Sequence, residues 1–208
     1  MAVLSALPAT PLPFGHVFPH PLVDGLWFCM LCYTNGDMTR RHVRNQFAQG
    51  SWETFAEGLS STKSLNDGCM AYYTTTDEIT PPLAPGDCVA WRGESPCDGM
   101  EWQEHVRAVV EMRALAMRLH LTKMAPSLGL SDHRLLLTGG ASASAGIRQV
   151  FSDIFQRPVV TMSSPEAAAV GAALRAMHAT TGQLPTPAGD ITEVPCTAAA
   201  GEVEAAVQ

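Results

Sequence analysis

The run Leu135-Leu136-Leu137-Thr138-Gly139-Gly140-Ala141-Ser142 carries the strongest chemical signal in the chain. An apolar stretch stops at Thr and a Gly pair, and a segment of helical composition follows from Ile147 to about Phe155. Paired glycines let the backbone enter positive φ and leave no Cβ between the main chain and a flat ligand. A strand that turns through glycines into a helix also exposes N–H groups that lack intrahelical partners. Together these make a nucleotide seat at the carboxyl end of a buried strand. An ordinary strand–turn–helix connection can carry the same Gly pair, so the neighbouring residues must decide.

Other clusters could do chemistry but are poorer in partners. Cys29 and Cys32 form a C-x-x-C, yet a structural zinc needs four ligands and no second close pair follows. Within a strand, residues three apart face opposite sides, which favours core cysteines. His16 and His20 flank Phe18-Pro19 without a carboxylate or thiol cluster and read as loop histidines. Asp77-Glu78 precedes Ile79-Thr80-Pro81-Pro82 and reads as a solvated acidic turn. His105 and His120 fall on one long helical stretch, as surface or satisfied packing groups. No residue is assigned a catalytic or metal-binding role.

The elements that must position the Gly pair follow from periodicity and breakers. Trp27 to Tyr33 is an apolar, aromatic run ended by Thr34-Asn35-Gly36-Asp37, a buried strand closed by an Asn-Gly turn. Helices are expected over 38–46, with Asp37 as N-cap, and from Ser51. Short strands are expected near Met70–Tyr73 and Cys88–Trp91, with a loop over 93–99. From Glu101 to Met124, apolar residues recur at three- and four-residue steps, a long helix with one buried face that Pro126 and Gly129 end. Met112, Met117 and Met124 fill its core side. The order then runs strand 134–138, helix 145–155, strand 158–162 and helix 165–178, with Ser164 as N-cap and Pro165 at the first position. Such alternation predicts an α/β sheet layered with helices. Residues 1–13 read as a disordered leader, 14–179 as the domain and 180–208 as a mobile tail.

Composition sets outer bounds. The chain of 208 residues has a formal net charge of −7, which disfavours nucleic acid and anionic membrane as partners. Its 46% hydrophobic and 16% charged residues suit a globular domain, and no apolar run reaches membrane-spanning length. Six scattered cysteines do not form a disulfide framework, so a cytoplasmic setting with free thiols is expected.

A longer series of residues narrows the reading. Thr138-Gly139-Gly140-Ala141-Ser142 is followed by Asp153-Ile154-Phe155, Arg157-Pro158-Val159-Val160 and Pro165-Glu166-Ala167-Ala168-Ala169-Val170-Gly171-Ala172-Ala173. This order resembles the adenosine-binding segment of the FGGY sugar kinases. Tyr33-Thr34-Asn35-Gly36, Asp77-Glu78-Ile79-Thr80-Pro81 and the stretch from Val106 to His120 resemble the xylulokinase type within that family. The resemblance covers about Pro13 to Ala179 and implies the C-terminal half of an actin-like ATPase, ribonuclease H-like fold.

It also implies ATP with Mg2+, the phosphorylation of D-xylulose, and a nucleotide wall made by Gly139, Gly140, Ala141 and Ser144. Family members usually carry Asn where Ser144 stands, and a shorter hydroxyl reaches less far. Gly146, early in the next helix, lowers its propensity by about 1 kcal/mol relative to Ala. Asn35 lies at a turn that in the family is near the interdomain cleft; ligand contact and a simple turn are both open for it. The family's general base and phosphate loops belong to an N-terminal half, and no Gly-Thr-Ser tripeptide occurs here. The chain is therefore expected to lack turnover alone, and to self-associate or to need such a half through an exposed edge at Trp27–Tyr33. Another FGGY substrate (ribulose or glycerol) and a non-catalytic nucleotide-binding or interaction protein are the alternatives.

Overall fold

The computed structural model describes residues 1–8, 10–97, 99–128, 134–162, 166–183 and 190–207. Its first unit is an antiparallel sheet of β1 (Ala2–Ser5), β2 (His16–Pro19) and β3 (Trp27–Met30), in the order β1-β3-β2. Leu4 and Phe18 both face Phe28 across β3, a cross-strand apolar row. The strand beginning at Trp27 is therefore central and paired on both sides, which corrects the expectation of an exposed edge there. Its neighbour is β1, inside the stretch expected to be a disordered leader. Met1 is bound there too, its carbonyl accepting from Leu31 N at 2.8 Å.

After the turn at Asn35-Gly36 come α1 (Asp37–Phe47) and α2 (Trp52–Ser61). Asp37 lies in the first turn of α1 but is not its cap; Gly36 holds that position, with no side-chain bond. Ser51 does cap α2, its Oγ accepting from Glu53 N and Thr54 N. A second antiparallel sheet follows from β4 (Cys69–Thr74), β5 (Gly86–Arg92) and β6 (Ser95–Pro96). The last of these pairs Trp91 with Pro96, inside the span expected to be a loop.

The long helix α3 (Trp102–Leu128) is the spine of the molecule. Val106, Val109, Val110 and Ala114 are buried at helical spacing, and Met124 is fully buried. Pro126 lies within α3 rather than at its end; Gly129 falls outside the described residues. Gly58 of α2 meets this helix so closely that a Cβ there would stand 2.9 Å from Trp102 and 3.1 Å from Val106. Arg107, itself buried, closes the end of α2 by donating to the Leu59 carbonyl at 2.6 Å and the Thr62 carbonyl at 3.0 Å. It also pairs with buried Glu111 at 2.9 Å. Burial pushes the Glu111 carboxyl up, with Arg107 opposing it.

The third sheet holds β7 (Leu135–Leu136), β8 (Val159–Met162) and β9 (Ile191–Val194), with α4 (Ala145–Phe155) crossing from β7 to its parallel partner β8. Leu137 N bonds to the Val160 carbonyl at 3.0 Å, extending this pairing by one step. The expected Ser164–Pro165 start of the next helix lies outside the described residues. The helix itself, α5 (Ala167–Thr181), buries no residue. The architecture is thus mixed α/β, with three small sheets arranged on a helical core.

The expected mobile tail contains both β9 and α6 (Ala200–Val207). The buried Asp153 carboxylate of α4 explains part of this, accepting from Thr197 N at 2.7 Å and Ala198 N at 3.0 Å. Val203 of α6 is fully buried in the main core, and Arg118 reaches Glu204. The β-branched residues Ile191, Thr192 and Val194 were the sequence signal for β9, masked by the prolines and glycines before it.

Candidate functional site

At the end of β7 the chain enters the Gly pair. Gly139 has φ +80°, a conformation that favours glycine, and Gly140–Ala143 form a single 3-10 turn. A Cβ placed on Gly139 or Gly140 would meet nothing within 4 Å. Both glycines therefore face open space, as close approach of a flat ligand requires. Ser142 Oγ donates back to the Gly139 carbonyl at 2.7 Å, and Ser142 N to the same oxygen at 3.0 Å. Ser144 is the N-cap of α4, its Oγ accepting from Ile147 N at 3.4 Å. One of its two lone pairs is used there, and its hydroxyl proton can still be donated.

Gly146 has a packing role instead of a weakening one. A Cβ there would stand 3.0 Å from Leu59 Cδ1 and 3.1 Å from Leu59 Cβ. Glycine lets α4 lie against α2, so the lost helix propensity is exchanged for close packing.

Asn35 is in different surroundings. It is fully buried, and its Oδ1 accepts from Thr75 N at 2.8 Å and Thr76 N at 3.2 Å. Its Nδ2 donates to the Thr76 carbonyl at 2.8 Å. These bonds tie the β3–α1 turn to the loop after β4, and none of them involves the glycine turn. Gly139, Gly140, Ala141 and Ser144 share one turn, whereas the amide of Asn35 bonds the loop after β4.

Beside Asn35 lies the most polar part of the interior. Glu78, expected to be solvated, is 3% exposed. Its carboxylate accepts from Thr34 N at 2.7 Å, Ile79 N at 2.8 Å, Asn35 N at 3.2 Å and Arg113 Nη2 at 2.8 Å. Burial alone would raise this carboxyl; the Thr34 and Ile79 amides and the Arg113 guanidinium outweigh it and hold the pKa below the usual value. Arg113 also donates to the Asn35 carbonyl at 2.8 Å and lies 4.9 Å from the centre of the Tyr33 ring.

The two histidines of α3 are paired rather than exposed. Tyr33 Oη is 2.7 Å from His120 Nδ1, and Tyr73 Oη is 2.6 Å from His105 Nδ1. Burial lowers both imidazole pKa values and raises both phenols. A neutral phenol donating to a neutral imidazole fits both directions.

Sequence reasoning missed Glu78, Arg113 and Arg148. The first two are far apart in sequence, and only the fold joins them. Cys29 is buried and Cys32 half-buried, both as free thiols. His20 accepts from Leu22 N and Val23 N, a turn role. Among the described residues no group of three or more His, Cys, Asp or Glu could hold a metal ion, so Mg2+ is given no ligand set here. Among the same residues no helix is long and apolar enough to cross a membrane.

This arrangement of elements has known counterparts. The structure aligns with xylulose kinase from Bifidobacterium adolescentis at a TM-score of 0.72 and 23% identity, covering 98% of this chain and 40% of that one. It aligns with Plasmodium falciparum glycerol kinase with ADP at a TM-score of 0.67 and 12% identity, over 88% and 37% of the two chains. The fold is that of the C-terminal, actin-like half of the sugar kinases. Residues 2–180 match the C-terminal domain of the FGGY family of carbohydrate kinases, and the chain belongs to that family.

Among curated relatives, Xylulose kinase 2 of Arabidopsis thaliana is 38% identical over 177 residues, covering 79% of this chain. Xylulose kinase of Rattus norvegicus is 31% identical over 169 residues, covering 81%. The chain spans 31% of the length of each.

Proposed function

We propose that this chain supplies the adenosine-side wall of a xylulokinase-type sugar kinase. Gly139, Gly140 and Ala141 form the surface against which the adenine nucleotide lies, and Ser144 offers a hydroxyl at its edge. The observation that carries this reading is the Gly139-Gly140 turn, open to solvent with nothing within 4 Å of either missing Cβ. The relatives' names favour xylulose as the sugar. ATP would bring Mg2+ with it, held largely by phosphate oxygens and water.

Phosphoryl transfer depends on aligning acceptor, γ-phosphate and charge-stabilising groups in one cleft. The 208 residues offer a nucleotide surface and no assigned general base. Nucleotide binding without turnover is therefore the proposed activity of the isolated chain. General-base catalysis alone is worth about 10²–10⁴-fold. Purified chain should bind ATP and ADP weakly and with similar affinity in calorimetry. It should form no D-xylulose 5-phosphate in a coupled assay with Mg2+ and ATP. Turnover at ordinary kinase rates by a preparation free of host kinase would overturn the second statement, and no measurable heat with either nucleotide would overturn the first.

A further inference from the structure

Arg148 reaches back from the first turn of α4 over the glycine turn. Its Nη1 donates to the Ser142 carbonyl at 2.6 Å and to the Ala143 carbonyl at 3.3 Å. Its Nε is buried and has no acceptor among the described residues. A guanidinium free to extend into water would hydrate that nitrogen, so its contacts to the turn must hold the side chain in place.

The hydrogen bonds of the turn show what those contacts achieve. The Gly139 carbonyl is taken by Ser142, the Ala141 carbonyl by Ser144 N and the Ser144 carbonyl by Arg148 N. The Ser142 and Ala143 carbonyls receive no backbone N–H among the described residues, and Arg148 occupies both. The N–H groups of Gly140 and Ala141, at the start of the turn, find no backbone acceptor among the same residues. The turn therefore hides its acceptors and presents donors, beside a fixed positive charge in a chain of net charge −7.

We propose that Arg148 is a positioning residue that locks the Gly139–Ala143 turn in this donor-presenting form, ready for an acceptor-rich ligand. The inference rests on the nucleotide reading above for the identity of that ligand. A lysine offers a single compact ammonium and cannot match the planar fork that spans two carbonyls.

The test has two readouts on the whole chain. Amide exchange over 139–144 reports the lock, and ADP titration by calorimetry reports its use. In Arg148→Ala, exchange over 139–144 should accelerate several-fold while the core of α3 is unchanged, and ADP affinity should fall several-fold. Arg148→Lys should not restore either readout, whereas added guanidinium ion should restore part of both in Arg148→Ala. Should Arg148→Ala fail to fold, Arg148→Gln gives the same comparison with a shorter, neutral amide donor retained. Unchanged exchange and unchanged ADP affinity in a folded variant overturn the lock and leave the nucleotide reading standing. Accelerated exchange in a chain whose wild type binds no ADP supports the lock and overturns the nucleotide reading.

Discussion

The Gly139–Ala143 turn and the interior around Glu78 are opposites in hydrogen bonding. Around Glu78, one carboxylate receives three backbone N–H groups and a guanidinium, and Asn35 spends both amide atoms on the neighbouring loop. At the glycine turn the side chains are small, the surface is open, and two N–H groups have no backbone acceptor among the described residues. The Glu78 carboxylate and the Asn35 amide spend their bonding capacity on the fold, and removing either is felt as instability, although Thr34 Oγ1 and Arg113 Nη1 beside them are buried without a partner among the described residues. An open turn contributes little to stability and has donors to spare. Polar residue types alone do not reveal function here, because the most polar cluster is the one occupied with holding the fold.

The contrast makes Glu78→Ala the largest expected effect on stability. Removing one partner of a buried pair strands the other charge and costs about 3–5 kcal/mol; here it also orphans the Thr34, Asn35 and Ile79 amides. Urea unfolding should show this loss. A change within error would mean that the cluster does not hold the β3–α1 turn.

Asn35→Ala should come second. It removes the acceptor of the Thr75 and Thr76 amides, which lie on an exposed and a half-buried residue, at about 0.5–1.5 kcal/mol for each lost bond. ADP affinity should stay at the wild-type value in whatever fraction remains folded. A selective loss of nucleotide binding at unchanged stability would return Asn35 to the ligand site.

A smaller effect is expected from pH. His105 and His120 both have lowered pKa values in the folded chain. The unfolded chain then binds more protons below the ordinary histidine value near 6.5, so stability should fall as pH drops through that range. Glu78, also lowered, adds a loss at more acidic pH, below its ordinary carboxylate range. Replacing both histidines with Gln should flatten the melting-temperature profile between pH 7 and 5 and leave the more acidic loss in place. A profile with its slope unchanged would show that the tyrosine–histidine pairs are not its source.

Gly140→Val should have the smallest effect on stability, within about 0.5 kcal/mol, because an added side chain there meets open space. It should nonetheless abolish ADP binding by filling the approach to the turn. Large destabilisation with binding intact would invert the comparison between the two regions.

Much of this was legible in the sequence, for identifiable reasons. The long helix followed from its apolar spacing, and α4 followed from the run after the Gly pair, although its Ser144 cap did not. The ordered motifs led to the family, which the match over residues 2–180 shows. Glu78 escaped because turn-rich surroundings suggest solvent, while its burial depends on Arg113, 35 residues away. Asn35 was ambiguous because an Asn-Gly turn looks the same whether its amide faces a ligand or a neighbouring loop. The strand β1 was hidden by Pro- and Ala-rich flanks, although Ala2-Val3-Leu4 had a partner waiting in β3. Arg148 carried no motif at all; only the path of its side chain shows what it holds.

The central claim is that the glycine turn is the nucleotide surface. Amide chemical shifts of isotope-labelled chain, followed as ADP is added, test it most directly. The account predicts saturable shifts concentrated at Gly139, Gly140, Ala141 and Ser144, with Thr34, Asn35 and Ile79 unmoved. Shifts centred on the Asn35–Glu78 region, or no saturable shifts at the glycine turn, would contradict it.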